Sequence, residues 1–297
     1  MNGREKGFLL LTSHLGDPER KILTLAQFRD LALRVRGLEG KDRASELTEE
    51  DLQSIGYNPA MAARMILLLS QEEQLDWYVR EGQKRGCVPI ARVSPDYPHA
   101  LKERLGLESP GCLWAKGDLQ LLEKPAVALV GSRELGTLNY AFAYEVGRQA
   151  ALQGYVLVSG NAKGADQTAQ NSCLEHGGQV ISVLADRLDR QSAHARILYL
   201  SEEGYDLDFT AIRALSRNRV IHSLPKLTLV AQCTKGKGGT WDGTVKNLKK
   251  LWSPVFCLDD GSAGIQALME LGAEPVSGAE LEDLSALKPY IQNLISQ

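Results

Sequence analysis

The stretch 126–164 decides how this chain is read. It opens with AVALVGSRELG (126–136), runs on through residues of helical periodicity and closes with YVLVSGNAKG (155–164). Residues 127–130 and 155–158 are short, apolar and β-rich, and each run ends in glycine and polar residues. Two buried strands joined by a helix make a βαβ unit. Its loops gather at the carboxyl ends of the strands, where open α/β sheets bind ligands. Gly131 and Gly160 let backbone approach a ligand, Ser132 and Ser159 add hydroxyls, and Arg133 and Lys163 bring cations to the same edge. Small donors and cations at helix N-termini predict a phosphate site. Glycines that merely turn the chain are the plain alternative, and the cation in each loop argues against it.

Two common phosphate motifs do not fit. A dinucleotide fingerprint needs G-x-G-x-x-G after the first strand and an acid closing the second. The turn here reads Gly131-Ser-Arg-Glu-Leu-Gly136, and the second strand ends in Ser159-Gly160. A P-loop needs Gly-Lys-Ser/Thr after its spacer, whereas Gly136 is followed by Thr137 and Leu138.

The whole chain sets the bounds. Its 297 residues suit a small domain plus a larger one, and 43% hydrophobic with 24% charged residues is ordinary for a globular protein. Cysteines 87, 112, 173, 233 and 257 form no C-x-x-C pair, which predicts buried thiols in a reducing cytoplasm. No histidine spacing resembles a metal site, and neither a metal nor a cofactor is expected. The N-terminal apolar run is too short for a signal peptide, and no run approaches a membrane span. Net charge is −3, yet nine Lys/Arg and one acid lie within 211–250, while seven acids and one lysine follow from 257. A local basic field fits a polyanion partner at one face. A solvated helix surface is the bland alternative.

Organisation follows from periodicity. Residues 1–85 read as all-helical, with Leu23, Leu25, Phe28, Leu31 and Val35 at helical spacing, breaks at Gly37 and Gly40, and a new start at Thr48. Residues 52–64 read helix, tight turn, helix, and resemble a helix-hairpin-helix or SAM-like unit in a structural role. Residues 86–124 read as a connector with short strands. The remainder, 125–297, alternates: strands at 179–184, 227–231 and 255–258, helical stretches at 191–199, 209–224 and 265–271, a glycine-rich loop at 233–243, and a helical tail over 279–295. That alternation predicts an α/β fold, a doubly wound, mostly parallel sheet preceded by the small helical domain.

The motifs Asp96-Tyr-Pro98-His-Ala-Leu101, Val127-Ala-Leu-Val-Gly-Ser-Arg133, Ser159-Gly-Asn-Ala-Lys-Gly-Ala-Asp166, Ser216-Arg-Asn-Arg-Val-Ile221 and 262–273 occur in an order that resembles the DprA/Smf (DNA-processing protein A) family. The resemblance covers nearly the whole chain. It implies a SAM-like domain followed by an extended Rossmann-like domain, single-stranded DNA binding, loading of a RecA-type recombinase, protection of DNA during natural transformation, and a homodimer. Carried over by position, Arg133 is a DNA-phosphate ligand, Lys163 and Gly164 stand where the family has Arg-Gly, and Arg217, Asn218 and Arg219 match an Arg-Asn-Arg helix start lining the same site. An Arg fork and an Asn amide suit phosphate, and strand binding without sequence preference needs cations along the backbone.

This sequence also departs from the family. Residues 184–189 (LADRLD) replace a glycine-rich strand end, Gln170 replaces a histidine, and the Ser-Gly-Ser loop becomes Lys235-Gly-Lys237-Gly238-Gly239-Thr240-Trp-Asp-Gly243. That loop looks like the Gly-Gly-Thr phosphate loop of LOG-type phosphoribohydrolases. The family's winged-helix unit is not expected before Gln297. A LOG-type hydrolase has a catalytic glutamate after this loop, and residues 240–252 hold only Asp242, so hydrolysis is disfavoured. Glu202, Glu203 and Asp166 stay open as acids, with Asp166 read as a helix cap or a partner of Lys163. Trp241, Tyr140 and Phe209 are candidates for base stacking, with core packing the reading favoured for Phe209. The alternative ligand for the same site is a small nucleotide-derived molecule, bound or hydrolysed.

Overall fold

The computed structural model describes residues 1–38 and 47–289. The break expected at Gly40 and the end of the helical tail (290–295) lie outside the described residues. Among the described residues, five α-helices build the N-terminal unit: α1 Gly3–Thr12, α2 Leu25–Arg34, α3 Glu49–Ser54, α4 Pro59–Leu69 and α5 Glu72–Lys84. Their starts are chemically specified. Asn2, Thr24 and Thr48 each close a capping box, with Glu5, Gln27 and Asp51, and Asn58 caps α4 ahead of Pro59. The expected hairpin is α3, a turn at Gly56 (φ +94°), then α4. Arg64 donates to the Lys21 and Ile22 carbonyls, so its charge is spent inside this unit.

Among the described residues, nine strands form one sheet: β1 Val88–Ala91, β2 Cys112–Lys116, β3 Ala126–Val130, β4 Val156–Ser159, β5 Gln179–Leu184, β6 Ile197–Glu202, β7 Leu227–Val230, β8 Val255–Cys257 and β9 Glu274–Pro275. Their order is β1-β2-β6-β5-β4-β3-β7-β8-β9. The β1–β2 and β2–β6 pairs are antiparallel, and all others are parallel. Segment 86–124 thus supplies two strands of the sheet and, between them, α6 His99–Leu105. Helices α7 Thr137–Leu152, α8 Ala165–Glu175, α9 Ala211–Ser223, α10 Gly238–Lys250 and α11 Ala263–Glu270 cover both faces. Alternation in β3 shows why the strands are apolar throughout. Ala126, Ala128 and Val130 enter the core under α6, α9 and α11, while Val127 and Leu129 enter the one under α7 and α8.

Four local expectations are corrected. Residues 191–199 hold no helix: a turn leads into β6, whose Ile197, Leu198 and Leu200 are buried in the sheet. The glycine-rich loop ends at Lys237, because Gly238 to Gly243 are the opening turns of α10. Those glycines allow close packing, since a Cβ on Gly243 would sit 3.0 Å from His222 Nε2 and 3.2 Å from the Asn218 Cβ on α9. The Arg217-Asn218-Arg219 triplet lies within α9, whose start is capped by Thr210. In the expected tail helix, the described residues show only a 3₁₀ turn, Glu280–Asp283, followed by turns.

The helical unit and the sheet meet through three rings. Tyr78 of α5 stacks on Tyr205 with centroids 4.3 Å apart, and Trp114 of β2 meets each edge-on at 5.0 Å. The Tyr78 hydroxyl donates to Asp206 at 2.6 Å, and burial raises its pKa further. Trp114 is fully buried. Trp114→Ala is expected to lower the unfolding free energy by about 3–5 kcal/mol in urea denaturation. A loss below about 1 kcal/mol would show that the rings do not join the two parts.

Candidate functional site

The carboxyl ends of β3, β4 and β7 open onto a cavity of about 670 Å³. The β3–α7 loop (Gly131, Ser132, Arg133, Glu134) forms one wall. Ala162 and Asp166 of the β4–α8 segment, Gln232, Thr234 and Lys237 after β7, and Gly238, Gly239 and Thr240 of α10 close it further. The wall from α9 is largely apolar, with Ala214, Leu215 and Ile221, and also carries Arg217, Asn218 and His222.

Backbone contacts explain the glycines. A Cβ on Gly131 would lie 2.5 Å from that of Ala165, and one on Gly164 (φ +89°) would overlap the Ser132 and Arg133 carbonyls. The two loops therefore touch backbone to backbone, and the Ala165 N–H donates to the Ser132 carbonyl at 3.2 Å. Gln232 holds the first loop in place. Its carbonyl accepts from the Ser132 N–H and Oγ, and its side-chain oxygen accepts from the Gly136 N–H.

The structure brings some of the expected residues together and sends others elsewhere. Gly131, Ser132, Arg133, Arg217, Asn218, Lys237, Gly238, Gly239 and Thr240 line the cavity. Arg133 and Lys237 are exposed at it, and the exposed Lys163 and Lys235 are neighbours in sequence of its lining residues. Ser159 is fully buried and receives the Gln170 amide at 2.5 Å, so its hydroxyl faces the interior. Thr240 donates to the Gly131 carbonyl, and Asn218 to the Gly239 carbonyl. Arg219 turns away to a buried ion pair with Glu202 at 2.5 Å and to the Glu108 carbonyl.

Asp166 resolves as a loop cap. Its Oδ2 accepts from the Gly160 and Ala162 N–H groups, with no bond to Lys163. Burial raises its pKa, opposed by the charge of Arg217 and by those two bonds. Arg217 is itself buried, and burial lowers its pKa against the pull of Asp166. A guanidinium stays charged even so. Phe209, expected in the core, is instead half-exposed and lines the cavity. Trp241 packs partly buried on the core, Tyr140 is exposed, and Asp242 pairs with Lys246.

Gln232 and His222 were not anticipated. Helical spacing held the signal for His222: counting from Ala211, positions 214, 218, 221 and 222 share one face of α9.

Residues 89–286 match the sequence profile of the family described as DNA recombination-mediator protein A. The chain belongs to that family. The DNA processing protein DprA of Streptococcus pneumoniae is 32% identical over 197 residues, covering 62% of this chain and 69% of its own. That of Bacillus subtilis is 25% identical over 255 residues, 80% and 85% of the two chains. The crystal structure of the S. pneumoniae protein superposes with a TM-score of 0.75 at 27% identity, covering 97% of this chain and 99% of that one. A Helicobacter pylori DNA processing protein A structure, described for its single-stranded DNA binding mode, gives 0.55 at 23% identity over 71% and 96%. The H. pylori likeness shows the shared fold. Among the described residues no helix is long and apolar enough to cross a membrane.

The buried His222 and the partly buried His14 set an acid response. Burial, with Arg217 adding to it, pushes His222 down to about 3, and burial also lowers His14. Below the ordinary value of 6.5 the unfolded chain takes up protons that the folded chain refuses. The stability these groups contribute is full above 6.5 and is lost as pH falls from there towards 3. The urea midpoint is expected to fall between about pH 7.5 and about pH 5.5, and to fall less in His222→Gln. Equal slopes in the two proteins would show that His222 titrates normally.

Proposed function

We propose that this protein binds single-stranded DNA at the cavity and acts in DNA recombination. In this reading it protects the strand and presents it to a RecA-type recombinase, as a cytoplasmic homodimer serving natural transformation. The observation that carries the reading is the cavity itself. It opens at the carboxyl edge of the sheet with exposed Arg133 and Lys237 on it and Lys163 and Lys235 beside it. None of these four cations makes an ion pair among the described residues. Family membership supports it, as does the single-stranded DNA binding for which the H. pylori structure is described.

The chemistry suits a strand gripped by its backbone. Free cations at the mouth attract phosphates and release their counterions, a term that ignores sequence. Glycine-lined loops let phosphate oxygens reach backbone N–H groups. A second reading has one specific support: the volume lies in the range of small-ligand sites, so a nucleotide-derived molecule would also fit.

The test is binding of a labelled single strand of roughly thirty nucleotides, enough to span several phosphate contacts. Wild type is compared with Arg133→Ala and Lys237→Ala across a salt series. Wild-type affinity should fall steeply with salt, and each variant should bind more weakly with the log–log slope reduced by about 0.7. No binding by wild type at low salt would overturn the reading. A shallow slope, with thermal stabilisation by a mononucleotide, would establish the second one instead.

A further inference from the structure

His222 faces the cavity from α9, one turn beyond Asn218, and is 1% exposed. Its protonation state can be read from its neighbours. The Ser253 N–H donates to Asn247 Oδ1 at 2.9 Å, which fixes the Asn247 amide so that Nδ2 faces Ser253 Oγ at 3.1 Å and His222 Nδ1 at 3.2 Å. Nδ2 carries only protons, so Nδ1 must accept, and the single proton of a neutral imidazole resides on Nε2. The Nε2 edge lies against Gly243 and beside Asn218, where α9 and α10 meet at the cavity wall. Among the described residues nothing accepts a hydrogen bond from Nε2, and the Asn218 amide donates to the Gly239 carbonyl.

We propose that His222 is a ligand-contacting donor in this cavity, its Nε2–H completed by an oxygen acceptor of the bound strand, whether a phosphate oxygen or a base carbonyl. The proposal rests on the single-strand reading above. Nε2 is not among the fully buried polar atoms that lack a partner, so it keeps a sliver of contact with the cavity, where a ligand oxygen replaces water as its acceptor on binding. This donor differs in kind from Arg133 and Lys237. It is neutral, releases no counterion, and so adds affinity that salt does not erode. Its ring cannot turn to hide the N–H, because flipping would break the bond from Asn247 and set a C–H in its place.

The decisive experiment is nitrogen NMR on the full chain with ¹⁵N-labelled histidine, free and with the single strand. The free protein should show His222 protonated at Nε2, and the strand should shift Nε2 and its proton while Nδ1 stays put. In binding assays His222→Leu should lose about threefold to tenfold in affinity at unchanged salt slope. His222→Gln, which keeps a donor at the ε position, should recover part of that loss. An abasic strand separates the two acceptors: a persisting His222→Leu deficit identifies phosphate, and a vanishing one a base carbonyl. A proton on Nδ1, or His222 signals unmoved while the strand binds, would overturn the proposal. Should the variants fail to fold, the wild-type spectra decide alone. Wild type that binds no strand would overturn the functional reading, and this inference with it.

Discussion

The guanidinium of Arg217 occupies the space where any side chain at position 160 would sit, laid against the backbone of Gly160. Much of the cavity follows from that contact. The charge of Asp166, in the first turn of α8, partly offsets the burial of this cation, though the two form no ion pair. The same carboxylate accepts the Gly160 and Ala162 N–H groups, so it shapes the loop that must stay bare for Arg217. The other side of that loop is tied by Gly164 to the carbonyls after Ser132 and Arg133. Removing the Asp166 charge would leave the Arg217 guanidinium buried with less compensation, which is destabilising.

The helical unit reaches the back of this arrangement. Glu203 holds a left-handed backbone (φ +69°), rare for a branchless acidic residue, and its carbonyl receives the His14 N–H and the Ser13 hydroxyl. Arg213 of α9 fills the space beside it, donating to the Ala185, Glu202 and Leu207 carbonyls and to Ser201 Oγ. The loop after α1, the end of β6 and the start of α9 are therefore one hydrogen-bonded corner. The placement of α9, and with it of Arg217 and His222, depends on contacts from residues far earlier in the chain.

What the sequence made legible follows the strength of its periodic signals. Short apolar runs at 127–130, 155–158, 179–184 and 227–231 become β3, β4, β5 and β7 within a residue at most ends, because strands buried on both faces have no polar alternation to confuse. The segment 191–199 misled because its polar first half hides a strand that starts only at Ile197. The glycine run misled for a different reason. Gly239 and Gly243 look like turn residues but exist to let α9 and α10 approach, which is a packing demand that composition does not announce. The resemblance located the basic triplet, yet it could not say which arginine faces inward.

That last point is settled by helix geometry. Residues two apart on an α-helix point roughly 200° away from each other, so one arginine of Arg-Asn-Arg must leave the cavity when the other enters. Arg217 enters, where the charge of Asp166 partly offsets its burial without an ion pair between them, while Arg219 leaves and is held by Glu202. Of the two cations of the triplet, Arg219 is paired within the fold and Arg217 is buried. The exposed cations that a polyanion would meet first lie outside α9, at Arg133 and Lys237, with Lys163 and Lys235 alongside. Attraction and shape are divided between different residues. Solvated cations at the mouth supply a long-range, salt-screened pull. Buried Arg217, Asp166 and the neutral His222 line the interior, where desolvation makes short-range complementarity count for more than net charge.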